Sequence, residues 1–193
     1  MRFSTITAAS LAYANIAIAA ITYTLSRNPN PTPDEADAYP RIQAAMDLAL
    51  LRWSRFPNVN KSLFVSYSPS IPTADGNYNG GIRFGANRSV MSERVALHEI
   101  AHTLGIGQTS AWEDKCARND WESATLLVQM WDGLDARINC GGGHIWPYGL
   151  NYDGEFSEES IVPSALLLLV TDTCSKPVLF SESSCLSRNA CGR

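Results

Sequence analysis

The sequence predicts an α+β fold, and three observations carry that expectation. Apolar residues recur at helical spacing in RIQAAMDLALLRWSRF, residues 41–56. They alternate with polar neighbours in KSLFVSYS, residues 61–68, and helical spacing returns over residues 90–104. With 193 residues and 45% hydrophobic content, the chain can bury one domain-sized core. Its 15 Lys and Arg against 19 Asp and Glu give a net charge of -4 with no basic block, which argues against a nucleic-acid partner.

The elements follow in chain order. Arg2 and the apolar stretch ITAASLAYANIAIAA read as a secretory signal over residues 1–19. Cleavage after Ala17-Ile18-Ala19 is preferred to Ala12-Tyr13-Ala14 because it leaves a longer apolar region. The competing reading is an uncleaved anchor running on towards Leu25, but Asn15 and several Thr and Ser disfavour a stable span. The mature chain is therefore expected to be secreted, with no membrane span.

Residues 20–40 include SRNPNPTPDEADAYP, with four prolines, and read as an extended linker or short pro-segment. The domain is expected over residues 41–173, ahead of a Cys-containing tail at 174–193. Its first helix sets Ile42, Met46, Ala49, Leu50 and Trp53 on one face and ends before Pro57. Leu63, Val65 and Tyr67 then mark a half-buried strand, PTADGNYNGG a run of turns, and IRFG a second strand. Ser89 is a plausible N-cap for a helix over about 90–104, with Gly105 ending it in a left-handed conformation. WESATLLVQMWDGLDAR looks helical, NCGGGHIWPYGLNYDGE reads as a Gly-rich loop, and SEESIVPSALLLLVTD looks helical again despite Pro163.

All five cysteines, Cys116, Cys140, Cys174, Cys185 and Cys191, lie in the C-terminal half. In an exported chain they imply two disulfides and one remaining thiol. Cys116 with Cys140 would staple the central segment, and two of the last three could staple the tail. No C-x-x-C pair occurs, which disfavours a cysteine metal site. Sequons at Asn60 and Asn87 fit a secreted chain.

The central helix contains HEIAH. His98 and His102, four apart, project from one face within reach of a single ion, and Glu99 between them can approach a metal-bound water without being a ligand. A catalytic zinc usually takes three protein ligands and leaves one position open. The only other histidine, His144, is the third candidate; the competing reading is an exposed loop histidine. Carboxylates that could serve instead are Glu113, Asp114, Glu122, Asp153 and Glu155, with Glu122 and Asp153 the better placed.

HEIAHTLG resembles the H-E-x-x-H-x-x-G active-site helix of the zincin metallopeptidases, and Gly105 is similar to the turn of their metzincin branch. The pattern departs where metzincins place a third His, here Gln108, and no Met-turn follows the third candidate ligand. HIWPYGLNY is similar to a segment found beside such a helix in secreted fungal and bacterial proteins regarded as metallopeptidases. The resemblance spans roughly residues 80 to 155. It implies a zincin-like α+β domain: a small mixed sheet packed on an active-site helix, with further C-terminal helices.

The resemblance also implies a monomeric zinc endopeptidase acting on protein or peptide substrates. Zn²⁺ would sit on His98, His102 and His144, with Glu99 as general base and Tyr148 or Tyr152 as oxyanion donor; buried core tyrosines are the competing reading. GIRFG would act as an edge strand that pairs with substrate. The alternative function is a catalytically silent zincin-like secreted binding or effector protein. Retention of Glu99 argues against that, because a structural metal site needs no base.

Overall fold

The computed structural model describes residues 21–56 and 59–156. They form a mixed α+β arrangement, as the sequence leads one to expect. Strand β1 (Ile21–Leu25) leads into helix α1 (Pro33–Trp53), followed by β2 (Lys61–Tyr67), β3 (Ala74–Gly76) and β4 (Gly81–Phe84). Then come α2 (Glu93–Leu104), α3 (Ser110–Arg118), α4 (Glu122–Asp132) and the strands β5 (Asn139–Gly141) and β6 (His144–Trp146). The first four strands make one sheet in the order β1-β2-β4-β3. In it β1, β2 and β4 run parallel and β3 lies antiparallel on the β4 edge. β5 and β6 form a separate antiparallel hairpin.

The register lines up the buried face. Leu25, Val65, Ile82 and Gly76 form one cross-strand row, and Tyr67, Phe84 and Ala74 form the next. Leu63, Val65, Ile82 and Phe84 are buried, whereas Phe64 and Arg83, pointing the other way, are exposed. α1 and α2 pack on the buried face through Ile42, Met46, Trp53, Leu97 and Ile100. Each such side chain taken from water stabilises the fold by about 1.5–3 kcal/mol.

The expected linker is corrected. Residues 21–25 pair with β2 over five positions, and α1 starts at Pro33, two turns before the expected boundary. The reason is local: Thr32 and Glu35 form a capping box, with the Glu35 N–H donating to Thr32 Oγ1 at 3.2 Å and the Thr32 N–H to Glu35 at 2.8 Å. Pro33, in the first turn, needs no N–H there. A chain trimmed to residue 41 would lose an edge strand and the start of this helix.

α2 also starts later than expected. Asn87 caps a short 3-10 turn over Arg88–Val90, and Ser92 rather than Ser89 caps the helix, accepting from the Val95 N–H. Arg52 on the last turn of α1 pairs with Glu93 on the first turn of α2 at 2.8 Å, both largely buried. Gly105 ends α2 at φ 125, a positive angle that a side chain would resist.

Two further expectations shift. GIRF is an interior strand, flanked by β2 and β3, so the sheet edge nearest α2 is β3. The Gly-rich segment before His144 is the β5–β6 hairpin. Cys116 and Cys140 are disulfide-bonded, Cα to Cα 5.8 Å, and tie α3 to that hairpin. The signal at 1–19, the helix expected in 157–172 and the tail at 174–193 lie outside the described residues. Among the described residues no helix is long and apolar enough to cross a membrane.

Candidate metal centre

Two of the three histidines share α2, a helix held by the core on its other faces. Val95, Ala96, Leu97, Ile100 and Ala101 are buried, so the helix cannot roll without exposing them. His98 and His102 consequently present adjacent rings, centroids 4.6 Å apart. His144 begins β6 and comes in from the hairpin, its ring 5.3 Å from His98 and 5.5 Å from His102. Behind this approach lies a backbone contact: a Cβ on Gly107 would sit 2.1 Å from the Gly143 carbonyl oxygen. Only a glycine after α2 lets the hairpin close on the helix end.

Each ring is oriented by its other nitrogen. Nδ1 of His98 meets the Gly149 carbonyl at 2.7 Å, Nδ1 of His102 that of Ile106 at 2.8 Å, and Nδ1 of His144 that of Gly142 at 2.7 Å. A carbonyl can only accept, so the proton of each neutral ring belongs on Nδ1 and the lone pair on Nε2. Nε2 of His98 and Nε2 of His102 then face each other at 3.1 Å. Ligand atoms from all three residues lie within 4.8 Å of one another. Convergent lone pairs repel unless a cation lies between them. Two nitrogens on a tetrahedral ion at about 2.0–2.1 Å are roughly 3.3 Å apart, so the His98–His102 pair has close to the spacing such an ion needs, with His144 near enough to be the third donor.

Electrostatics agree with ligand chemistry. Burial, then the neighbouring His102, pulls the His98 pKa down to about 3, and burial likewise lowers that of His102. Both are therefore neutral near pH 7, the form that binds metal. Glu99, only 5% exposed, has its pKa pushed up to about 8, first by burial and then by the nearby Asp75 charge, against a hydrogen bond from the Gly76 backbone. A bound cation would favour the ionised form again.

His98, Glu99, His102 and His144 all line one cleft of about 790 Å³. β3 forms one wall beside Glu99. A Cβ on Gly76 would meet the Glu99 carbonyl oxygen at 2.3 Å, so a side chain there would push this strand off α2.

The two tyrosines are not in the cleft. The Tyr148 hydroxyl donates to Asp132 at 2.7 Å on α4, its ring lies against Trp131, and burial followed by Asp132 pushes its pKa up to about 12. At φ 67 the Tyr148 backbone is left-handed, in a turn that passes beside the cleft. Tyr152 is 63% exposed. Of the carboxylates considered as ligands, Glu113 lines the cleft, Asp153 pairs with Arg94, and none groups with the histidines among the described residues.

Arg94 escaped the sequence reading. It lies one helical turn before His98, a spacing that placed it on the ligand face all along, and it is the one Lys or Arg among the described lining residues. Gly76 and Gly107 escaped too, because close backbone approach leaves no mark in hydrophobic periodicity. Comparison of the chain with models of protein families, with curated proteins and with solved structures gives no match in any of the three.

Proposed function

We propose that the protein is a secreted, zinc-dependent metalloendopeptidase of zincin type. The observation that carries this reading is the meeting of the His98 and His102 Nε2 atoms at 3.1 Å, with a ligand atom of His144 within 4.8 Å of both, in a cleft also lined by the buried carboxylate of Glu99. His98, His102 and His144 would hold Zn²⁺ through Nε2. Zinc so bound supplies Lewis-acid polarisation of a carbonyl and acidification of water.

The chain's own residues do the rest. Glu99, in its ionised form, takes a proton from water at the site and returns it to the departing amine. Its burial suits this shuttle, since a carboxylate 5% exposed holds the proton away from bulk water between the two transfers. β3 is the sheet edge that borders the cleft, so an extended substrate would pair with the outward main-chain groups that remain there beside the Gly76 N–H already held by Glu99, with little demand on sequence. With neither tyrosine in the cleft, Arg94 is the lining cation nearest in kind to an oxyanion donor, although its Nε and Nη1 are already engaged by Asp153 and the Leu150 carbonyl. The Cys116–Cys140 disulfide supports an oxidising destination.

The test is hydrolysis of casein and of a peptide library by the zinc-loaded full chain. Glu99→Gln is expected to lower the rate by about 10²–10⁴-fold while zinc stays bound. The placement of both tyrosines away from the cleft favours a second reading, a zinc-holding binding or effector protein. A zinc-loaded wild type that cleaves neither substrate would establish that reading instead.

A further inference from the structure

Past β6 the chain makes a tight turn over residues 147–151 and reaches α2, where the Gly149 carbonyl accepts from His98 Nδ1 at 2.7 Å. Something must hold that carbonyl in place, because the turn is unfavourable in itself. Tyr148 at φ 67 and Leu150 at φ 59 both adopt left-handed conformations without being glycine. Gly149 between them has no room for a side chain: a Cβ would lie 2.0 Å from the Ile145 carbonyl oxygen.

Asn151 does the holding. Its Nδ2 donates to the Ile145 carbonyl at 2.8 Å and to Glu155 Oε2 at 3.2 Å, and its backbone N–H donates to the same Oε2 at 2.8 Å. Ile145 follows His144 directly on β6. One carboxamide therefore ties the turn that orients a helix-borne ligand to the strand that carries the hairpin-borne one. Arg94 fastens the same turn to α2 from the other side, through the Leu150 carbonyl at 2.6 Å and Asp153 at 2.7 Å.

The arrangement has a cost that packing alone does not explain. Asn151 Oδ1 is buried without a hydrogen-bond partner, and the amide cannot be reversed because both partners of Nδ2 are acceptors. Local rules broken together in one short turn mark a place held for a purpose elsewhere.

We propose that Asn151, seated on Glu155, is a positioning residue of the metal centre: it fixes the Gly149 carbonyl against His98 and couples the two halves of the ligand set. This rests on the three-histidine metal reading. Outer-shell partners of this kind set ring orientation and ligand basicity, and their loss typically weakens metal binding about 10–100-fold.

The experiment measures zinc affinity of the full chain by competition with a chromophoric chelator, and the visible absorption of the cobalt-substituted protein. Asn151→Asp keeps the size, removes the Nδ2 donors and sets a second carboxylate against Glu155. It is expected to bind zinc about 10–100-fold more weakly, with an altered cobalt spectrum. Glu155→Ala should do the same, and Glu155→Gln, which keeps an acceptor, should restore most of the affinity. Ile42→Val, a cavity in the distant α1 core, should lower the melting temperature and leave zinc affinity alone.

Wild-type affinity and spectrum in Asn151→Asp, whatever its melting temperature, would overturn the proposal and leave the metal reading standing. If Asn151→Asp does not fold, Glu155→Ala decides by the same two readouts. A wild type that binds neither zinc nor cobalt would overturn both.

Discussion

The two halves of the candidate ligand set are supported in opposite ways. His98 and His102 ride on α2, whose other faces are filled by core residues, so their spacing follows from helix geometry and would persist without any metal. His144 rides on a hairpin of two three-residue strands, too short to be stable alone. That hairpin is anchored by Cys116–Cys140, by the Gly107–Gly143 contact and by the turn beneath His98. The lesson is that one half of the site is made by the core and the other by cross-links. Disturbances should therefore separate the two.

Breaking the helix side should have the largest effect. His102→Ala is expected to abolish stoichiometric zinc and all hydrolysis, with zinc affinity falling by well over about 100-fold, beyond the outer-shell range. His144→Ala leaves the helical pair intact and should weaken zinc measurably less; chelator competition on both variants ranks them, and the reverse order would break the comparison.

Cutting the cross-link comes next. Cys116→Ala with Cys140→Ala should cost about 2–4 kcal/mol in chemical denaturation. The same variant should release zinc faster in a stopped-flow chelator chase, while the far-ultraviolet circular dichroism of the helices stays unchanged. Equal zinc release from wild type and the double variant would show that the hairpin needs no staple. The smallest effect is expected at Tyr148→Phe, since that hydroxyl serves Asp132 and not the cleft. It should change kcat/KM by less than about twofold, within the reach of one lost half-exposed hydrogen bond; a large loss confined to kcat would restore the tyrosine to the site.

The same contrast governs what could be read from the sequence. The helical half was legible because HEIAH repeats at a helical interval and its buried neighbours obey the same period. His144 was legible for a compositional reason: the chain has only three histidines. Its hairpin was not, because three-residue strands flanked by glycines have no periodicity to detect. β3 was missed for the same reason; Ala74, Asp75 and Gly76 form a strand only because β4 is there to pair with them. In residues 31–35 the prolines outweighed a capping signal that was present in plain letters, Thr32 and Glu35 around Pro33. Closeness of Tyr148 and Tyr152 to His144 in sequence says nothing of direction once the backbone at Tyr148 turns left-handed.

The measurement that bears most directly on the central claim is zinc per chain by elemental analysis. The full chain, reconstituted and dialysed, would be compared with Glu99→Gln and His102→Ala. One zinc is expected in wild type, one in Glu99→Gln and none in His102→Ala. Background zinc in wild type, or equal zinc in all three, would contradict it.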